Sequence, residues 1–326
     1  MKMIEMKGIS KSFCVSKRKG GLGNAFKSFF KRDYEVVNAL EDISFTIDEG
    51  EMVGYIGPNG AGKSTTIKIM SGILHPDSGE CYVNGKIPWK DRINYVRDIG
   101  VVFGQRSQLW WDVPVEDSFQ LLKDIYRIPD KSFKKNMNMI SDLLDIEDII
   151  KVPTRQLSLG QRMRCEIAAS LLHSPKILFL DEPTIGLDAV SKIAVRDFIK
   201  TINRENKTTI ILTTHDTQDI DALTKRIILI GKGKVLLDGD LEDLKQKFNQ
   251  NRKITLDYNG DINELTKGLA FVEKYSGHAV VSVDTEIISI SSAMSYLAEK
   301  VELNDLSVNS ATVDDVVVGL YKEYKI

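Results

Sequence analysis

The nine residues Gly57-Pro58-Asn59-Gly60-Ala61-Gly62-Lys63-Ser64-Thr65 constrain this chain more than any other stretch. They satisfy G-x-x-x-x-G-K-[ST] at every fixed position. Ahead of them, Met52-Val53-Gly54-Tyr55-Ile56 is a short apolar run that reads as a buried strand. Behind them, Thr66-Ile67-Lys68-Ile69-Met70 carries apolar residues at helical spacing. A strand, a glycine-rich turn and a helix in this order build a phosphate-binding loop. Glycines let the backbone close on phosphate oxygens where a Cβ would stand in the way. The helix start adds unpaired amides and the positive end of its dipole. In that frame Lys63 reaches the β- and γ-phosphates of a nucleotide, and the Ser64 hydroxyl coordinates Mg²⁺.

A length of 326 residues suggests about two domains. An apolar fraction of 42% supports real cores, and 28% charged residues is ordinary for a water-exposed surface. The net charge of −2 supplies no bulk basic field for nucleic acid. Cys14, Cys81 and Cys165 are far apart and lack metal-ligand spacing, so they suit a reducing compartment and are expected as small buried or semi-exposed residues. No apolar run approaches the roughly 18 residues of a membrane span, and the N-terminus lacks an apolar secretory core, so a cytosolic location is expected.

Along the chain, Met3-Ile4-Glu5-Met6 reads as an edge strand. A basic cluster, Lys17-Arg18-Lys19, and the run Gly20-Gly21-Leu22-Gly23 follow. Asn24 then caps an expected short helix from Ala25 to Arg32, with Phe26, Phe29 and Phe30 on one face among Lys27, Lys31 and Arg32. Such a helix suits an anionic membrane surface, or else covers a sheet edge with its lysines in water. Ile43–Ile47 and Ile99–Phe103 read as strands, the second ending at Gly104-Gln105. Leu109-Trp110-Trp111-Asp112 follows; paired tryptophans beside a loop are either core or a partner contact. Residues 115–150 are helical in pattern, with breaks at Pro129-Asp130 and near Ile146. Lys176–Leu180 is an apolar strand ending in Asp181-Glu182, and Thr208–Thr213 another ending in Thr214-His215. Beyond Arg252, strands are expected at Ile254–Tyr258, His278–Val283 and Leu306–Val308, and helices at Ile262–Leu269, Ser291–Val301 and Val313–Tyr324. That alternation describes a small α+β domain without a nucleotide motif.

The phosphate loop, the run Leu157-Ser158-Leu159-Gly160-Gln161, the strand ending in Asp181-Glu182, the strand ending in Gln105 and the strand ending in Thr214-His215 occur in one order. Together they resemble the ATP-binding cassette (ABC) ATPases over residues 1 to about 245. Leu159 stands where the family signature L-S-G-G-Q has its first glycine. Gly104-Gln105-Arg106-Ser107-Gln108-Leu109-Trp110-Trp111 and the C-terminal domain bring the chain nearest to the cassette subunits of ABC-2 type transporters. The fold implied is α/β: a P-loop NTPase cassette with a parallel-sheet core, an antiparallel β subdomain and a helical subdomain at about 106–172. It spans 1–245 and precedes a small α+β domain at 250–326.

By that resemblance, ATP and Mg²⁺ are the cofactors. Gly57, Pro58, Asn59, Gly60, Ala61, Gly62, Lys63, Ser64 and Thr65 cradle the phosphates. Ser64, Gln105 and Asp181 serve the metal, Glu182 positions or deprotonates the attacking water, and His215 hydrogen-bonds the γ-phosphate. Ser158, Gly160, Gln161 and Asp188 serve the nucleotide of a second copy of the chain, so two copies bury two ATPs. Adenine stacks on Tyr34, with Phe13 as the rival aromatic. The function implied is that of the ATPase subunit of a transporter, an exporter by its ABC-2 likeness, bound to separate permease subunits on the cytoplasmic face of a membrane. Gln105, Trp110 and Trp111 are the expected permease contacts. The alternatives are a cassette ATPase acting on ribosomes or nucleic acid, against which a single cassette weighs, and a regulator with little hydrolysis, against which Glu182 weighs.

Overall fold

The computed structural model describes residues 1–16, 34–104, 106–248, 251–309 and 312–325. The expected helix from Ala25 to Arg32, with its Asn24 cap and Phe26, Phe29 and Phe30, lies outside the described residues, as does Gln105. The chain forms two compact units, Met1–Asp238 and Gly239–Ile326.

The first unit runs β1 (Lys2–Ser16), β2 (Tyr34–Asp48), β3 (Met52–Ile56), α1 (Lys63–Met70), β4 (Ser78–Val83), α2 (Arg92–Tyr95) and β5 (Ile99–Phe103). Three helices follow, α3 (Val115–Tyr126), α4 (Asp130–Leu144) and α5 (Leu159–Leu171), then β6 (Ile177–Asp181), α6 (Ala189–Asn206), β7 (Thr209–Thr213), α7 (Thr217–Leu223), β8 (Arg226–Gly231) and β9 (Lys234–Asp240). Its main sheet has the order β5-β6-β7-β3-β8-β9. The pairs β5–β6, β6–β7, β7–β3 and β3–β8 are parallel. Parallel strands covered on both faces read as unbroken apolar runs; Ile177-Leu178-Phe179-Leu180 and Ile210-Ile211-Leu212 are such runs, all buried.

A second, antiparallel sheet has the order β2-β1-β4. The expected edge strand at Met3–Met6 is therefore corrected: β1 is the middle strand. Ile4 faces Ile47 on one side and Val83 on the other, and both neighbours' apolar residues bury Ile4 and Met6. The β1–β2 ribbon also runs far beyond Ile43–Ile47, back to the pair Ser16 and Tyr34.

The helices α3, α4 and α5 break where Pro129 and Asp145 interrupt the pattern. Asp145 takes a left-handed conformation (φ 49°) that ends α4. Ile140, Leu144 and Ile146 turn inward with Phe119, Met163 and Ile167 to close one core with β6 and β7. No helix among the described residues is long and apolar enough to cross a membrane.

The second unit comprises α8 (Leu241–Phe248), β10 (Asn251–Asn259), β11 (Leu269–Tyr275), β12 (His278–Asp284), α9 (Ile290–Lys300), β13 (Glu302–Asn309) and α10 (Val313–Tyr324). Its antiparallel sheet has the order β11-β12-β10-β13. Ile254, Leu256, Ala279, Val281 and Val283 bury one face with Ala293 and Leu297 of α9. The expected helix at Ile262–Leu269 is absent; the stretch is irregular and Leu269 opens β11. Gly260 (φ 106°) and Gly268 (φ 90°) bracket it, and a segment so short is a marginal helix in any case. Ile262 and Leu265 pack on the core instead.

One buried side chain couples the first unit to pH. The His173 ring stacks on Tyr126 with 4.0 Å between centroids, and its Nε2–H donates to the Ile99 carbonyl at 2.9 Å. Burial pushes the His173 imidazole down to about 4. Between that value and the ordinary one near 6.5 the unfolded chain binds the proton and the folded chain does not, so stability falls as pH falls. We expect His173→Gln, which keeps a donor toward Ile99, to flatten this dependence. The wild type's advantage over the variant in urea denaturation should shrink by about 2 kcal/mol from pH 7 to pH 5.

Candidate active site

The phosphate loop joins the end of β3, in mid-sheet, to α1. Two of its glycines are set by close approach. A Cβ on Gly57 would lie 2.1 Å from the Ile230 carbonyl oxygen, and one on Gly62 would lie 2.6 Å from the Ala39 carbonyl oxygen. Gly62 also holds φ 110°, which L side chains rarely adopt, and caps α1. Lys63 is buried, and its ammonium curls under the loop to donate to the carbonyls of Gly57 (2.6 Å) and Pro58 (3.1 Å). Burial pulls its pKa down, and the nearby carboxylates of Glu182 and Asp181 pull it back up.

Lateral register assembles the remaining groups. Phe103, Asp181 and Thr213 stand side by side across β5, β6 and β7. Gly104, Glu182 and Thr214 therefore leave the sheet together at its C-terminal edge, where open parallel sheets bind ligands. The Thr213 hydroxyl donates to Asp181, the Glu182 amide donates to the Thr213 carbonyl at 2.9 Å, and the Gly104 amide donates to the Asp181 carbonyl at 2.8 Å. Glu182 has φ 56°, a left-handed conformation that costs a non-glycine residue energy. It turns the Glu182 carboxylate toward His215, whose Nε2 lies 3.0 Å from Oε1. A cavity of about 310 Å³ opens here, lined by Ser64, Lys68, Phe103, Arg106, Asp181 and Glu182 among others. A hydroxyl and a carboxylate on one cavity wall, Ser64 and Asp181, are hard oxygen donors that fit Mg²⁺.

The signature residues form a separate group. Ser158 caps α5, its hydroxyl accepting from the Gln161 amide at 3.2 Å while Gln161 Oε1 accepts from the Ser158 amide at 2.9 Å. Asp188 caps α6, accepting the Ser191 amide at 2.8 Å and the Ser191 hydroxyl at 3.1 Å. The two helix starts touch: a Cβ on Gly160 would lie 2.6 Å from Ser191 Oγ. Neither Ser158, Gly160 nor Asp188 is among the described residues that line the cavity.

The two aromatic candidates lie at different depths on the β1–β2 ribbon. Tyr34 is exposed at the end of the described ribbon, opposite Ser16. Its separation of five residues from Ala39, whose carbonyl touches Gly62, is about 17 Å of strand. Phe13 lies opposite Val37, only two residues from Ala39.

Sequence reasoning passed over the group behind His215. Asp219 is fully buried and accepts hydrogen bonds from Thr184, from Thr214 (3.0 Å) and from Arg196 Nε (2.6 Å). Thr184 is two residues past Glu182 and Thr214 one before His215, so a single carboxylate ties both segments to α6. The available signal was Arg196, a charge on the apolar face of α6 formed by Val195, Phe198, Ile199 and Ile202.

The chain is similar to known proteins. Residues 40–185 fit the family model described as ABC transporter. The ABC transporter ATP-binding protein NatA of Bacillus subtilis is 33% identical over 229 residues, 70% of this chain and 92% of that protein. The chain belongs to the ABC transporter family. It is an ATP-binding and ATP-hydrolysing cassette, and ATP with Mg²⁺ is its cofactor pair. The cassette is also similar to the linearmycin resistance ATP-binding protein LnrL of Bacillus subtilis, at 31% identity over 72% of this chain and 74% of that protein. A dimeric ATP-binding cassette solved in a post-hydrolysis state with ADP and phosphate superimposes with a TM-score of 0.61. Its identity is 27%, over 73% of this chain and 99% of that one.

Removing the carboxylate of Asp219 from the cassette leaves the buried Arg196 without its closest partner, with Asp216 Oδ1 at 3.4 Å from its guanidinium. We expect Asp219→Ala to lower unfolding free energy by about 3–5 kcal/mol in urea titration, and Asp219→Asn, which keeps an acceptor for the threonines, to lower it less.

Proposed function

We propose that this cassette is the homodimeric motor of an ABC-2 type exporter, peripheral on the cytoplasmic face of the membrane and coupled to separate permease subunits. The cassette extends over residues 1–245 and the accessory domain over 250–326. The observation that carries the reading is the division of the chemistry into two groups. Ser64, Asp181 and Glu182 line one cavity, with His215 on Glu182 and Lys63 near both carboxylates, whereas Ser158, Gly160, Gln161 and Asp188 form a second group at two helix starts. Each group supplies half of a nucleotide site, and a second copy supplies the other half.

Lys63 exchanges its two carbonyl partners for the β- and γ-phosphates. Ser64 and Asp181, with Gln105, would hold Mg²⁺, which would supply positive charge to offset that developing on the phosphates. Glu182 orients the attacking water and accepts its proton. His215 now sits on Glu182; the γ-phosphate offers Nε2 a stronger acceptor and releases the carboxylate for the water. Ser158, Gly160 and Gln161 close over the same γ-phosphate from the second copy, the α5 start contributing its amides and dipole. Asp188, at the α6 start, links the two sites. Phe13 is better supported than Tyr34 as the adenine partner because it lies near the strand segment that touches Gly62.

Trp110 and Trp111 are 59% and 52% exposed, and with Gln105 they suit the permease contact, since exposed indoles are favoured anchors at interfaces. Export is supported by the ABC-2 likeness and by the resistance named for one relative.

Glu182→Gln should lower kcat by at least about 100-fold and accumulate an ATP-bound dimer in light scattering. Unchanged turnover, or strictly first-order hydrolysis by a monomer with ATP and Mg²⁺, would remove the reading; recovery from cells with ribosomes or DNA instead of membranes would favour a soluble cassette ATPase. Phe13→Ala should raise the KM for ATP about tenfold and Tyr34→Ala should leave it nearly unchanged, measured by steady-state phosphate release.

A further inference from the structure

The helix α5 carries Arg162 and Glu166 at i and i+4, on one face. Glu166 is 4% exposed. Its carboxylate accepts hydrogen bonds from the Ser107 hydroxyl and from the Gln108 amide (3.1 Å), while Gln108 Nε2 donates to the Glu166 carbonyl at 3.0 Å. The Arg162 guanidinium lies 5.8 Å from the centre of the Trp111 ring. The Arg155 amide, just ahead of the helix, donates to the Trp111 carbonyl at 3.0 Å. The segment Ser107–Trp111 is thus laid along α5 and held at both ends.

Keeping a carboxylate buried here has a cost. Alanine has the better helix propensity, and burial raises the Glu166 pKa against its preference for charge. What the carboxylate supplies is a pair of acceptors for the loop's donors, which makes this contact specific and stiff. Ser158 caps the same helix about 12 Å away, eight residues at 1.5 Å each. A rigid helix carries a displacement over that length, as packed elements with discrete arrangements do.

We propose that Glu166, assisted by Arg162, is a positioning residue that makes the Ser107–Trp111 segment and the α5 start move as one piece. Contact at Trp110 and Trp111 is then transmitted to Ser158 and Gly160, and nucleotide bound at Ser158 is transmitted back to Trp111. The inference rests on the reading that Ser158 and Gly160 complete the second copy's nucleotide site.

The test uses the full chain with Trp89→Phe and Trp110→Phe, which leaves Trp111 as the sole indole, and with Glu182→Gln to retain ATP. We expect Mg·ATP to shift Trp111 emission and to drive dimerisation seen by light scattering. Glu166→Ala and Ser107→Ala should each reduce the emission shift at least about fivefold while the ATP-driven dimer persists. The double variant should lose no more than Glu166→Ala alone, because both substitutions cut the same link. With Glu182 restored, Glu166→Ala should lower kcat about fivefold and leave the KM for ATP within about twofold. An emission shift that survives both substitutions, or additive losses in the double variant, would overturn the proposal alone. Loss of dimerisation in either variant would also overturn it, since the helix itself and not its link to the loop would be at fault. No emission change and no dimer in the parent chain would overturn the reading beneath it.

Discussion

The alignment of Phe103, Asp181 and Thr213 across three parallel strands is the constraint from which the site hangs. Side chains that act on one phosphate must leave the sheet at one level, and a slip of one residue in a strand would send its last side chain to the opposite face. The register is held by burial of β6 and β7 along their length, so any slip would carry several apolar residues out of contact. Glu182 profits from this rigidity. Its left-handed backbone is a strained choice for a glutamate, kept because Thr213 and Gly104 hydrogen-bond the segment on both sides. The strain aims the carboxylate at His215 and the cavity, where a relaxed conformation would carry it elsewhere.

Charge burial around the site follows the same logic. Lys63, Glu166, Arg196 and Asp219 are all mostly removed from water. Each would be costly alone, yet each has partners set by backbone geometry: loop carbonyls for Lys63, Ser107 and Gln108 for Glu166, two threonines for the Arg196–Asp219 pair. Buried pairs of this kind add little net stability but penalise every arrangement in which a partner is missing. That suits a machine whose segments must return to one relative position after each turnover.

What was readable in the sequence shares a trait: the requirement is local. A glycine where a Cβ has no room, a lysine inside a loop and acids at the end of an apolar run leave their mark within ten residues. Gly57, Gly62 and Lys63 were placed in their turn that way, and Asp181 and His215 at the ends of two apolar strands. The unread parts are requirements between distant segments. Asp219 matters because Thr184, Thr214 and Arg196 converge on it, and Glu166 because residues 58 and 59 positions earlier fold back to it. The ribbon defeated pattern reading for the same reason. Beyond Ile43 its alternation is solvent-exposed on both sides at Val36 and Val37, so no periodic burial signals the strand. The stretch Ile262–Leu269 failed oppositely, since apolar spacing alone suits a helix and a loop that dips Ile262 into a core.

Leu159 shows how a departure from a family pattern is absorbed. A glycine at a signature position invites the idea that only glycine's backbone freedom will do. Here Leu159 is the first residue of α5 and takes an ordinary helical conformation, so its backbone makes no demand that leucine fails to meet. The difficulty is space, and it is solved across the contact. Gly186, at φ 70° in the turn before α6, has no side chain, and a Cβ there would lie 2.7 Å from Leu159 Cδ2. Leucine on one loop and glycine on the other therefore fill one volume together. Ser158 and Gly160 keep their places at the helix start, and the bulk of Leu159 becomes a second contact, beside Gly160 on Ser191, that binds the signature turn to the turn carrying Asp188.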